Sequence, residues 1–146
     1  MTSIATRTST MAYCDVNVGD EITPLDVPVT TTLIVAGAIA SRDYMPVHHD
    51  RDFATGQGSP DIFLNILTTN GLIGAYISEW AGPDSIVKKV AIRLGAPNYP
   101  GDTMTITGKV TRKEDGAQGG TVDVAVVGAN RLGNHVTGTV TVELPS

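Results

Sequence analysis

This 146-residue chain has a single cysteine, Cys14, so no disulfide can form within it. A lone thiol fits a reducing, cytoplasmic setting. Positive charge is also scarce. Ten Lys and Arg stand against fifteen Asp and Glu, a net charge of −5 and a pI near 4.9, which argues against a nucleic-acid surface. Any anionic ligand has to be met by local basic residues. The first ten residues, rich in Ser and Thr, lack the apolar run of a signal peptide, and residues 1–12 read as a flexible tail. The longest apolar stretch, residues 62–81, would reach about 30 Å as a helix. Asn65, Thr68, Thr69, Asn70, Ser78 and Glu79 interrupt it and make it costly in lipid, so it reads as a helix buried in its own protein rather than a membrane span.

What is present is a globular composition, 41% hydrophobic and 17% charged, in a length that suits one domain with a real core. Residues 13–146 are read as that domain. The second half alternates with a period of two: Met104, Ile106, Gly108, Val110; then Val122, Val124, Val126; then Val136, Val140, Val142, with Thr, Lys or Asp between them. Each run is a strand buried on one face. Residues 86–94 alternate less cleanly, through Val90, Ile92 and Leu94. Turn residues separate the four runs, which suggests an antiparallel meander. The first half is helical after an extended lead at residues 16–20. Thr30, Thr31 and Thr32 offer caps for a helix over 33–41. Asp61 is the expected cap of the long helix, which stops at Gly82-Pro83. That helix is apolar around most of its circumference, so something has to curl round it. The expected class is α+β, a hot-dog fold in which an antiparallel sheet wraps a long central helix.

The chemistry-bearing stretch is Asp43-Tyr-Met-Pro-Val-His48, a carboxylate and an imidazole on the loop between the two helices. Facing one small space, the two hold a water and move its protons, which is general acid–base work. Which of them is the formal base stays open, because close ionisable groups titrate as a pair. Asp43 is favoured as the water-activating group, its pKa raised by apolar neighbours, with His48 orienting the water and relaying protons. A plainer role for Asp43 is to end the first helix and bond to loop amides. His48-His49-Asp50, with Asp43 and Asp52, also has the ligand types of a zinc or iron site. Adjacent histidines rarely face one ion, however, and only His135 follows downstream. No metal is expected.

These residues carry a resemblance. Asp15-Val-Asn-Val-Gly-Asp20 resembles the opening of MaoC-like domains, the hot-dog proteins that include (R)-specific enoyl-CoA hydratases. Arg42-Asp43-Tyr44-Met45-Pro46-Val47-His48, followed by Asp50-Arg-Asp-Phe-Ala54, resembles that family's Gly-Asp-x-Asn-Pro-x-His motif and the Asp-x-x-x-Ala after it. Arg42 and Met45 depart from it, and Leu64-Asn65 stands where the family has His-Gly. Arg42-Asp-Tyr, Val47-His-His-Asp-Arg-Asp52, Asp61-Ile-Phe-Leu-Asn-Ile-Leu67 and Trp80-Ala-Gly-Pro83 are similar to the small MaoC-like subunit of actinobacterial steroid side-chain hydratases.

The resemblance implies an enoyl-CoA hydratase acting on a bulky, steroid side-chain acyl-CoA, with no cofactor beyond the CoA of the substrate. It makes Asp43 and His48 catalytic and places the backbone N–H of Asn65 at the thioester oxygen. Tyr44 and Met45 are candidates for the acyl entrance, and Lys88, Lys89, Arg93 and Arg131 for the CoA phosphates, although a solvated sheet face suits those bases equally. Gly71 and Gly74 leave room on the central helix for a bulky acyl chain or a second helix. A larger MaoC-like partner, or a second copy, is implied, since a lone protomer exposes a sheet edge. Two alternatives share the fold: a non-catalytic partner that shapes the acyl tunnel of another subunit, and a hot-dog thioesterase.

Overall fold

The computed structural model describes residues 7–146. Five strands, β1 (Glu21–Pro28), β2 (Ile86–Leu94), β3 (Thr103–Gly116), β4 (Gly119–Asn130) and β5 (Gly133–Leu144), form one antiparallel sheet of order β1-β3-β4-β5-β2. Three helices accompany it: α1 (Thr31–Ala40), α2 (Arg51–Gly56) and α3 (Ile66–Ala81).

The sheet forms because its valines alternate. Val122, Val124 and Val126 of β4, Met104, Ile106 and Val110 of β3, and Val136, Val140 and Val142 of β5 are all buried. They make one face, against which Ile73, Tyr76, Ile77 and Ala81 of α3 pack in a single core. Two polar bonds tie the helix to opposite sides of the sheet. Tyr76 Oη donates to the Thr23 carbonyl of β1 at 3.1 Å, and Thr69 Oγ1 lies 2.8 Å from His135 Nε2 of β5. The strand register slips between Ile22 and Leu25, Val87 and Lys89, Val110 and Arg112, and Gly128 and Ala129. Such irregularities increase local twist and bend strands, which curls the sheet about the rod. The hot-dog architecture expected from the sequence is present.

Several expectations are corrected. Only β3, β4 and β5 form the meander; β2 crosses over to pair with β5. The lead at 16–20, read as strand or loop into a turn, is the loop and turn, with Asp20 N–H bonding to Asn17 O, and the first strand follows at residues 21–28. The long helix begins at Ile66 and its cap is Asn65, whose side chain accepts from the Thr68 N–H at 3.0 Å. Asp61 is engaged elsewhere, by Arg51 Nε and its neighbour's amide at Ile62, both at 2.7 Å. Residues 62–65 stay extended because tertiary partners take their amides: Phe63 N–H bonds to Val47 O and Leu64 N–H to Asn98 O. Of the expected tail, residues 1–6 lie outside the described residues, whereas Met11 N–H bonds to Ala81 O and Thr10 Oγ1 to Asp84. No helix among the described residues is long and apolar enough to cross a membrane.

α3 is covered on one side only. Leu67, Asn70, Gly71, Ala75 and Ser78 are exposed, and a Cβ added at Gly71 or Gly74 would meet nothing within 4 Å. Among the described residues, no second helix uses the room those glycines leave. The close approach falls instead at Gly37, where a Cβ would strike the Thr68 side chain. That contact seats α1 on α3 and brings two helix ends together.

Candidate active site

Asp43 is delivered by the way α1 ends. Ser41 is the C-cap, Arg42 follows with φ +57°, and Asp43 comes next. Arg42 N–H bonds to Ile39 O and Asp43 N–H to Ala38 O, the paired closing bonds of a Schellman turn. The left-handed residue reverses the chain and turns the Asp43 side chain back toward α3. A side chain at that position costs roughly 1 kcal/mol relative to glycine. Arg42→Gly is therefore expected to raise stability by about 0.5–1 kcal/mol, read as a Tm gain of about 2–4 °C.

His48 ends the next turn. Pro46 opens a single 3-10 turn, Pro46–His48, where its missing N–H loses nothing. The ring is buried and packs edge-on against Phe63 at 5.1 Å between centroids. Its Nδ1 lies 2.7 Å from the Phe63 carbonyl. A carbonyl only accepts, so Nδ1 carries the hydrogen and the neutral ring presents a bare Nε2. That nitrogen is 3.4 Å from Asp43 Oδ2. The two groups converge, as the loop motif suggests.

Asn65 completes the cluster. Its Nδ2 donates to Asp43 Oδ2 and to Ser41 Oγ, each at 2.9 Å. The residue is only 2% exposed. Thr68 N–H is taken by the Asn65 side chain, while the N–H groups of Ile66 and Leu67 have no acceptor within the helix. Among the described residues the Asn65 N–H also has no bonded acceptor. A set of unspent donors thus sits beside the carboxylate–imidazole pair.

The electrostatics reverse one expectation. The Asp43 pKa lies below its ordinary value rather than above it. The Asn65 bond is the main cause, helped by the Met45 amide and by His48, and it outweighs the opposing effect of burial. Asp43 is therefore an ionised acceptor at neutral pH. By linkage, its contribution to stability is present above the unfolded value of 3.8 and is lost as pH falls through the lower folded value.

The other candidates disperse. Tyr44 and Met45, between Asp43 and His48 on the loop, are 66% and 54% exposed, and Ile39, Ile66 and Leu67 are exposed as well. Lys88 is paired with Glu143 at 2.8 Å. Lys89 and Arg93 are exposed on β2, an outer strand of the sheet, and Arg131 bonds to Asp102 at 2.7 Å. Among the described residues, none of these four bases bonds to Asp43 or His48. His49 is exposed, and Asp50 caps α2 through the Phe53 N–H. Among the described residues, no three His, Cys, Asp or Glu side chains gather as a metal site.

The sequence reading missed Ser41, Phe63 and the His135–Thr69 pair. His135 is fully buried, with Nδ1 2.7 Å from Ala96 O. Burial pushes its pKa down from 6.5, so the folded state resists a proton that the unfolded chain accepts. Stability is expected to fall as pH drops below about 6.5, by at most about 1.4 kcal/mol per pH unit from this group. Tm measured from pH 7.5 to 5 checks this, with His135→Gln flattening the profile.

The sequence and the fold have known relatives. The model of the MaoC like domain matches residues 16–130. The 3-oxo-4,17-pregnadiene-20-carboxyl-CoA hydratase beta subunit of Mycobacterium tuberculosis is 52% identical over 109 residues, 75% of this chain and 81% of that protein. The crystal structure of the ChsH1–ChsH2 complex from the same organism contains a chain 47% identical, covering 88% of this chain and 98% of that one, with a TM-score of 0.83. An R-hydratase from Pseudomonas aeruginosa, 22% identical and covering 94% of this chain and 87% of its own, has a TM-score of 0.84 and shares the fold. With the family model matching most of its length and a relative 52% identical over three quarters of it, the chain belongs to the MaoC-like domain family.

Proposed function

We propose that this chain is the catalytic subunit of an enoyl-CoA hydratase that adds water to an α,β-unsaturated CoA thioester with a steroid-sized acyl group. The observation that carries the reading is the 3.4 Å approach of His48 Nε2 to Asp43 Oδ2 beside the free first turn of α3. Both atoms accept, so one water donates an O–H to each. The water oxygen attacks the β-carbon while its proton passes to Nε2. Negative charge develops on the thioester oxygen, where the Asn65 N–H stabilises it. The imidazolium, held by the neighbouring carboxylate, then returns a proton to the α-carbon. Atoms balance without a cofactor; CoA enters and leaves as part of the substrate.

The substrate class and the assembly follow from the relatives. A beta subunit whose name specifies a pregnadiene-carboxyl-CoA hydratase, and a neighbour crystallised as a two-protein complex, support a heteromer with a larger MaoC-like subunit. The protomer's own surface fits this. Ile39, Tyr44, Met45, Ile66 and Leu67, on the segments that carry Asp43, His48 and Asn65, are all at least 47% exposed. Tyr44 and Met45 lie at the acyl entrance. The CoA phosphates are met by exposed bases of this chain, Lys89 and Arg93, or by the partner. A cytoplasmic setting suits the exposed, unpaired Cys14.

The test is to co-express the chain with its larger partner and to follow two signals on one enoyl-CoA. Loss of the conjugated double bond with the thioester intact is the expected result. Release of free CoA thiol would identify a thioesterase. Full turnover with Asp43→Asn would make this chain the non-catalytic partner.

A further inference from the structure

We propose that the Asn65 side chain is a positioning residue, which clamps the Asp43 carboxylate in its ionised, acceptor-only role and so confines proton movement to His48. The proposal rests on the hydratase reading above and assigns the roles within that site.

The orientation of the Asn65 amide is determined by its partners. Its Oδ1 accepts from the Thr68 N–H at 3.0 Å, so the opposite end, Nδ2, faces Asp43 and Ser41. Ser41 Oγ gives its own hydrogen to Gly37 O at 2.7 Å and therefore accepts from Asn65. Both Nδ2 hydrogens are committed, one to Ser41 Oγ and one to Asp43 Oδ2. The amide is buried, so water does not compete for these bonds.

Oδ2 is also the oxygen that faces His48 Nε2. The Asn65 N–H bonds most strongly to the charged oxygen and loses strength when Oδ2 takes a proton, so the bond favours the carboxylate. Oδ1 receives the Met45 N–H, at the longer distance of 3.4 Å. Both oxygens thus act as acceptors, and His48 is the titratable side chain that faces them at 3.4 Å. The water proton is directed to Nε2, which is the bare nitrogen of the neutral tautomer that the Nδ1 contact to Phe63 O selects. Asn65 thereby links three elements: it caps α3, holds the C-cap of α1, and orients the loop carboxylate.

Two substitutions separate this role from plain helix capping. Asn65→Asp keeps the size and the cap acceptor but replaces the donor with a second carboxylate. Asn65→Gly removes the donor without adding charge, and glycine is itself an accepted cap residue. In wild type and both variants, the Asp43 carboxyl is titrated by carbon NMR, with Asp43→Asn used to assign the signal. Turnover is measured on the complex with the larger subunit. The titration is expected to move upward in both variants, by about one pH unit or more in Asn65→Asp, as for carboxylates sharing a site. kcat is expected to fall at least about tenfold, with KM within about threefold of wild type.

A lowered Tm with an unmoved Asp43 titration and an unchanged kcat would overturn the proposal, leaving Asn65 as a cap alone. The titration reads the clamp without turnover. If wild type consumes no enoyl-CoA, the hydratase reading fails, and an unmoved titration in Asn65→Gly still decides against the clamp separately.

Discussion

His48→Ala is expected to lower kcat for enoyl-CoA hydration by about 10²- to 10⁴-fold, the range for removal of a positioned acid–base group. KM should change little, because the ring is buried behind the loop rather than exposed to the acyl chain. Asp43→Asn should fall in the same range, since the neutral amide has no charge to hold the imidazolium and its NH2 end would face either the Met45 N–H or the Asn65 donor. The two losses should not add. The groups grip one water, and removing either leaves it unheld, so the double variant should resemble the worse single one. The measurement is steady-state turnover of the assembled complex, with unchanged circular dichroism to show that the fold is intact. Single variants that retain more than half of wild-type turnover would remove the dyad from the mechanism.

The second large effect concerns the rod that supports the site. Ile73 is fully buried on the face of α3 that packs into the sheet-lined core. Ile73→Ala removes apolar contacts and leaves a cavity that rigid strands cannot fill, a cost of about 2–5 kcal/mol. For a domain of this size the Tm drop should be on the order of 6–15 °C. Leu67 lies on the same helix, but its side is open and it is 48% exposed. Leu67→Ala should therefore change the stability of the isolated protomer by less than about 0.5 kcal/mol. In the complex the ranking should shift, because a partner seated on the open side of α3 would bury Leu67. Thermal unfolding of both variants, alone and with the partner, checks the contrast.

Much of this architecture is legible in the chain. The valine and threonine alternation of β3, β4 and β5 is a local signal, set by the two-residue pleat, and it survives folding because one face is buried throughout. The loop motif likewise brings Asp43 and His48 together, since a Schellman turn at one end and Pro46 at the other leave little freedom between them. What could not be read depends on distant partners. Periodicity marks β2 as a strand but does not say that it pairs with β5. Asp61 has the composition of a helix cap, yet Arg51 claims its carboxylate, and the carbonyls of Val47 and Asn98 hold the next residues extended. The Asp43 pKa was misjudged for the same reason: apolar neighbours are visible in sequence, whereas an asparagine twenty-two positions away is not known to be a donor until the chain is folded. His135 and Thr69 are sixty-six positions apart, and nothing in their spacing connects them.

The dyad sits where the last turn of one helix meets the first turn of another, wedged by Gly37 and tied by Ser41 to Asn65. It is not carried on a lid that opens by itself. Heat should therefore abolish turnover and melt the hydrophobic interior along the same curve, with no temperature interval in which a folded but inert protein accumulates. Deuterium uptake at the amides of residues 43–48 should likewise keep pace with that of the central rod.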